Sequence, residues 1–124
     1  MKKEYGIIGK PLAQSASPAF FNKKFANENI NAEYIPFELE NIDQLPQVLK
    51  EHPTLCGFNV TIPYKQAVIP FLDEIDEAAK EIGAVNTIVN KNGKLFGYNT
   101  DFGGLKALFK RAGISVSGKK AVIL

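Results

Sequence analysis

The sequence has little cysteine and histidine, no tryptophan and no long apolar run. Its 124 residues include one cysteine, Cys56, and one histidine, His52. A single cysteine excludes an internal disulfide and a cysteine-based metal cluster, and it fits a reducing compartment. No stretch approaches the length of a membrane span, and the opening MKKEYGIIGK lacks the apolar core of a signal peptide. We therefore expect a cytoplasmic protein without a metal site.

An excess of charge of one sign is also missing. The 15 basic and 13 acidic residues give a net charge of +2, and the lysines are scattered along the chain. This balance offers no electrostatic argument for binding nucleic acid or a membrane surface. The apolar share of 45% and the charged share of 23% are typical of an ordinary globular protein. The length allows one domain with a substantial core.

Short β-branched runs alternate with helical patterns along the chain. The patterns predict strands at 5–9, 32–39, 55–60, 85–91, 94–99 and 119–124, and helices at 18–29, 43–52, 64–71, 73–83 and 101–113. Asn92-Gly93 indicates a hairpin, and Pro36 favours an edge position for the second strand. The alternation predicts an α/β fold, namely a three-layer α-β-α arrangement with a mostly parallel twisted sheet plus one antiparallel hairpin.

In such sheets ligands bind beyond the carboxyl ends of the strands, which singles out the loops after Gly9 and after Phe58. The first loop, GKPLAQSASP, contains Ser15 and Ser17. Ser17 before Pro18 matches a helix N-cap, and capping alone is one interpretation of it. Capping does not explain Ser15. Two hydroxyls at a helix N-terminus would also suit an anion, either a carboxylate or a phosphate.

The second loop, NVTIPYK, leaves an apolar strand through polar side chains. Asn59 and Thr61 precede Lys65, which a cleft could turn into a general acid or base. A solvated surface charge is the alternative for this lysine. Asn86 lies in a strand pattern that disfavours asparagine, and Asp101 begins a helical pattern. A hydrogen bond to a neighbouring loop and a helix N-cap are the respective alternatives.

Four motifs in this order, GKPLAQSASP, NVTIPYK, GAVNT and GYNTD, resemble the substrate-binding half of the shikimate dehydrogenase family. The resemblance extends over essentially the whole chain. It implies that Ser15 and Ser17 hold the carboxylate of shikimate. It also implies that Thr61, Asn86 and Asp101 bind the hydroxyl groups of the ring.

The same resemblance implies an NADP-dependent oxidoreductase that interconverts 3-dehydroshikimate and shikimate in aromatic amino-acid biosynthesis. Lys65 would bind substrate and act as the catalytic acid/base with Asp101 as its partner, and Glu77 would lie near the cofactor. The expected parts are a substrate-binding domain at 1–100, a connecting helix and loop at 101–118, and the first strand of a missing dinucleotide-binding domain at 119–124. Without that domain the chain alone is expected to be inactive.

A non-catalytic sensor module that binds shikimate or quinate is the alternative function. The presence of both Lys65 and Asp101 favours the enzyme, because a sensor needs no acid/base pair.

The tail at 121–124 generates a prediction about self-association. Its continuous apolar run is typical of a parallel strand that is buried on both faces. Exposure of Val122, Ile123 and Leu124 would forgo about 1.5–3 kcal/mol each relative to burial. We therefore expect the tail either to fray or, as the favoured outcome, to pair or pack against another copy in a concentration-dependent homodimer. Analytical ultracentrifugation should detect this dimer, and a monomer once residues 121–124 are removed. Monomers of both forms at high concentration would contradict this expectation.

Overall fold

The computed structural model describes residues 2–13 and 15–100, and it contains one six-stranded sheet. The strands are β1 (Lys3–Gly9), β2 (Ala32–Glu38), β3 (Leu55–Val60), β4 (Glu74–Ile75), β5 (Thr87–Lys91) and β6 (Lys94–Tyr98). The helices are α1 (Ser17–Asn27), α2 (Leu45–Glu51) and α3 (Glu77–Ile82), with short 3₁₀ helices at Ile42–Gln44 and Ile69–Phe71. The predicted elements at 101–118 and 119–124, and the tail within them, lie outside the described residues.

The strand order is β2-β1-β3-β5-β6-β4. β1 runs parallel to β2 and β3, and β4 runs parallel to β6. β5 is antiparallel to β6 and also to β3, so the predicted hairpin is inserted into the sheet rather than appended to it. Asn92 and Gly93 form its turn with φ of 54° and 89°, as the sequence predicted. β2 occupies the edge that Pro36 indicated.

Helices cover both faces of the sheet. Ile7 and Ile8 are neighbours on β1, so their side chains point to opposite faces. Ile8 belongs to the main core together with Leu45 of α2 and Ala79 of α3. Ile7 belongs to a smaller core against which Phe21 of α1 packs. The predicted three-layer α/β arrangement is therefore confirmed.

Two of the predicted helices differ from the observed ones. The segment predicted as a helix at 64–71 consists of turns that end in the 3₁₀ helix at Ile69–Phe71. Pro70 limits helix growth there, because it lacks an N–H and its ring clashes with the preceding turn. The helix predicted from residue 73 begins only at Glu77, since the Asp76 side chain accepts the N–H of Ala78 and caps it.

The residues before that cap form β4, which the sequence pattern did not predict. A two-residue strand is too short to show a period of two, and it exists because β6 supplies its partner. No helix within the two described ranges combines the length and the apolar character that a membrane crossing requires.

Candidate functional site

Two loops meet where β1 and β3 end. The Thr61 N–H donates to the Ile8 carbonyl at 3.0 Å, and the Lys10 N–H donates to the Ile62 carbonyl at 3.0 Å. Gly9 lies between them, and a Cβ at this position would lie 2.4 Å from the Thr61 methyl group. Only glycine permits so close an approach. The parallel pairing of β1 and β3 thus continues into their loops and joins the serine loop to the NVTIPYK loop.

Ser15 and Thr61 line one cavity of about 480 Å³ between these loops. The serine loop is held by main-chain bonds: the Ser15 N–H donates to the Leu12 carbonyl at 3.0 Å, and the Leu12 N–H donates to the Glu38 carboxylate at 2.7 Å. Leu12 itself is buried. The structure therefore brings together two of the predicted substrate-binding hydroxyls, which are 46 positions apart in the sequence.

Ser17 has a different environment from the one that capping would give it. The N-cap of α1 is Ala16, which makes no side-chain capping bond, and Ser17 is the first helical residue. The capping interpretation is therefore wrong. The Ser17 side chain instead interacts with Tyr34 of β2. The Tyr34 hydroxyl donates to Asn59 Oδ1 at 2.7 Å, which connects the serine loop to the end of β3.

Tyr34 is the residue of this site that the sequence reasoning missed. Its side chain is only 4% exposed, and burial raises its pKa to about 12, while the hydrogen bond with Ser17 acts in the opposite direction. The sequence signal for Tyr34 was its place in an apolar strand, because a buried phenol needs a hydrogen-bond partner. Nothing local indicates that the partner would be Asn59.

Asn86 is buried and lies directly before β5 rather than inside a strand. Its Oδ1 accepts the Thr100 N–H at 2.9 Å, and it also contacts the hydroxyls of Thr100 and Thr87 at 3.2 and 3.1 Å. The hydrogen bond to a neighbouring segment, which the sequence left as an alternative, is therefore present. Among residues 2–13 and 15–100, no oxygen accepts from the amide nitrogen of Asn86. That nitrogen is available as a donor to a ligand.

Lys65 lies in the turn that follows β3 and is partly buried. Its carbonyl accepts the Val85 N–H at 2.8 Å, so the lysine turn pairs with the residue next to Asn86. Thr61, Lys65 and Asn86 thus converge at the carboxyl ends of β1 and β3. Asp101 lies outside the described residues. Its predecessor, Thr100, bonds to Asn86 as described above.

Glu77 lies at the same end of the strands as the serine loop but on the opposite side of the sheet. It is the first residue of α3, it is exposed, and it follows β4 at the far side of β6. No contact in the described part of the chain joins it to the predicted substrate-binding residues. Within that part, no cluster of three histidine, cysteine, aspartate or glutamate side chains could hold a metal ion.

A larger cavity, of about 660 Å³, lies beside α1 over the β3 and β5 face of the sheet. Aromatic and aliphatic side chains form most of its lining, including Phe21, Phe25 and Val89, with Cys56 among them. Ser15 and Thr61 line the smaller cavity, whereas Lys65 and Asn86 line neither cavity. We place the site at the junction of the two loops, where the main chain of the lysine turn and Asn86 also meet the end of β3.

Comparison with known proteins identifies the family. A family model described as the shikimate dehydrogenase substrate binding domain matches residues 7–88. The chain belongs to the shikimate dehydrogenase family. The NADP(+) shikimate dehydrogenase of Halothermothrix orenii is 48% identical, and the match covers 96% of this chain and 42% of that protein.

Solved shikimate dehydrogenases have the same fold. The structure from Aquifex aeolicus matches with a TM-score of 0.74 at 43% identity over 88% of this chain and 42% of that one. The Thermus thermophilus enzyme in complex with NADP(H) and shikimate matches with a TM-score of 0.76 at 34% identity over 92% of this chain and 44% of that one. The chain therefore spans less than half the length of these shikimate dehydrogenases.

The buried Tyr34 phenol of this shikimate dehydrogenase domain predicts a loss of stability in alkali. Its folded-state pKa of about 12 lies above the ordinary value near 10, so its contribution is complete below pH 10 and is lost as the pH approaches 12. By pH 11.5 the loss should reach about 2 kcal/mol relative to Tyr34→Phe, which cannot ionise.

Urea denaturation of both proteins at pH 8.5 and 11.5 measures this difference, and the variant corrects for the other tyrosines and lysines. An unchanged stability difference between the two pH values would show that Tyr34 ionises without hindrance.

Proposed function

We propose that this chain is the substrate-binding part of an NADP-dependent shikimate dehydrogenase. The observation that carries the proposal is that Ser15, Thr61, Lys65 and Asn86 all lie at the carboxyl ends of β1 and β3 in a chain of this family. Hydroxyls, a neutral amide and an amine suit a polyhydroxylated ring acid better than a phosphate ester or an apolar ligand. The single cysteine fits a reducing, cytoplasmic setting.

The carboxylate of shikimate is assigned to Ser15 and Ser17. Both hydroxyls lie at the start of α1, where the helix dipole and the free N–H groups favour an anion. Ser17 is not used as a cap, and its single O–H can turn from the Tyr34 oxygen to donate to a ligand, because the Tyr34 hydroxyl itself donates to Asn59. Hydrogen bonds to a charged acceptor are about twice as strong as neutral ones. This subsite would therefore set the orientation of the ring.

The ring hydroxyls are assigned to Thr61, Asn86 and Asp101. The available amide nitrogen of Asn86 can donate to a ring oxygen, while its Oδ1 stays bonded to Thr100. Such a fixed amide binds without first reorganising, which favours affinity for a hydroxyl at that position.

Lys65 is assigned as the acid/base, with Asp101 as its partner. Oxidation of a ring alcohol requires removal of the hydroxyl proton as hydride leaves the same carbon. NADP, when bound, supplies the hydride acceptor. Lys65 would take the proton from oxygen in the forward direction and return it to the ketone in reverse, and a carboxylate beside the amine would orient it.

Glu77 is assigned to the cofactor side of the cleft. An exposed carboxylate can accept a hydrogen bond from a ribose hydroxyl or a carboxamide, whereas it would repel a phosphate. Glu77 is therefore assigned to a polar part of NADP and not to its phosphates.

Replacement of Lys65 tests the acid/base assignment. In the complete native protein, Lys65→Ala should lower kcat for shikimate oxidation by about 10²–10⁴-fold and change KM far less, because the group acts in the transition state. Lys50→Ala, an exposed lysine on α2, is the matched control and should leave both constants unchanged. A Lys65→Ala enzyme with kcat within a few-fold of the parent would remove the assignment.

Replacement of both serines tests the carboxylate subsite. Ser15→Ala combined with Ser17→Ala should weaken shikimate binding at least tenfold, since each charge-assisted bond contributes roughly 1.5–3 kcal/mol. The uncharged analogue in which CH₂OH replaces the carboxylate should bind the variant and the parent about equally. Calorimetry measures both ligands, and an equal loss for both would mean that the serines serve only the fold.

A further inference from the structure

Within the described residues, Asn22 joins α1 to the main chain of the sheet. Asn22 Nδ2 donates to the Tyr34 carbonyl at 2.9 Å, and the Tyr34 N–H donates to Asn22 Oδ1 at 2.8 Å. β2 is an edge strand that pairs with β1 alone, so these two main-chain groups have no strand to bond to on their open side. The amide of Asn22 takes the place of the missing neighbour.

The apolar contacts of α1 permit sliding along the strand. None of its residues is fully buried, and its packing on the sheet relies on partly buried aromatic side chains such as Phe21 and Phe25. Apolar contacts are non-directional, so they hold the helix down without fixing its position along the strand. Two hydrogen bonds to one main-chain unit do fix that position.

The same helix contacts Tyr34 at three points. Asn22 binds its main chain, and Phe21 stacks on its ring with the centroids 4.8 Å apart and the planes 23° apart. Ser17, five residues earlier, interacts with its hydroxyl. A shift of α1 along β2 would therefore separate Ser17 from Tyr34 and from Asn59, to which the Tyr34 hydroxyl donates.

We propose that Asn22 is a positioning residue for the carboxylate subsite: by binding the main chain of Tyr34, it sets the register of α1 on β2 and so places the Ser17 hydroxyl. This inference rests on the proposed function, because it assumes that Ser17 binds the carboxylate. Asn22 does not touch the substrate. It acts through the helix that carries Ser17.

Kinetics of Asn22→Ala in the complete native protein test the inference. KM for shikimate should rise about tenfold while kcat stays within about twofold, because binding is lost equally from the ground state and the transition state. KM for the CH₂OH analogue should change less than about twofold, since this ligand makes no charge-assisted bond to Ser17. Asn27→Ala, at the end of the same helix, is the matched control and should change neither constant.

Asn22→Gln keeps the amide but moves it by one methylene, and it should show a smaller effect in the same carboxylate-selective direction. This variant keeps the test decisive if Asn22→Ala folds poorly. An equal change of KM for both ligands, or no change for either, would overturn the positioning role and leave the proposed function intact. If the unmodified protein neither binds nor oxidises shikimate, the proposed function fails, and this inference fails with it.

Discussion

The close contact between the ends of β1 and β3 is the constraint on which the site depends. Gly9 has no Cβ, so the loop at Thr61 packs directly on the end of β1 and exchanges main-chain hydrogen bonds with Ile8 and Lys10. A larger residue at position 9 would push the two loops apart and open the cavity that Ser15 and Thr61 share. The site therefore forms because the hydrogen bonding between β1 and β3 continues into the loops that follow these two strands.

A second constraint is the full satisfaction of polar groups around that contact. Tyr34, Asn59 and Asn86 all lie in partly or fully buried positions, and no buried side-chain oxygen or nitrogen of the described residues lacks a partner. Unmade hydrogen bonds would cost about 1–3 kcal/mol each in such surroundings. The network thus joins the two loops and fixes the orientation of the Asn86 amide through its Oδ1.

The sequence predicted the elements whose signals are local. The turn at Asn92-Gly93, the edge position marked by Pro36 and the helix end at Gly83 are confirmed, because each depends on the conformational range of one or two residues. Predictions failed where partners are distant. β4 forms only because β6 pairs with it. The helix predicted at 64–71 is a series of turns instead, and the Lys65 carbonyl in these turns accepts the N–H of Val85.

The same division applies to the site. The motifs indicated the family, and the alternation of strand and helix patterns predicted the α/β class and the two loops at the strand ends, since both kinds of signal depend only on residue types along the chain. The roles assigned to Ser15, Ser17, Lys65 and Glu77 stay predictions. Only the tertiary structure showed that Ser17 interacts with Tyr34 instead of capping α1. The two residues are 17 positions apart, and they meet because α1 packs on β2, which the sequence between them does not reveal.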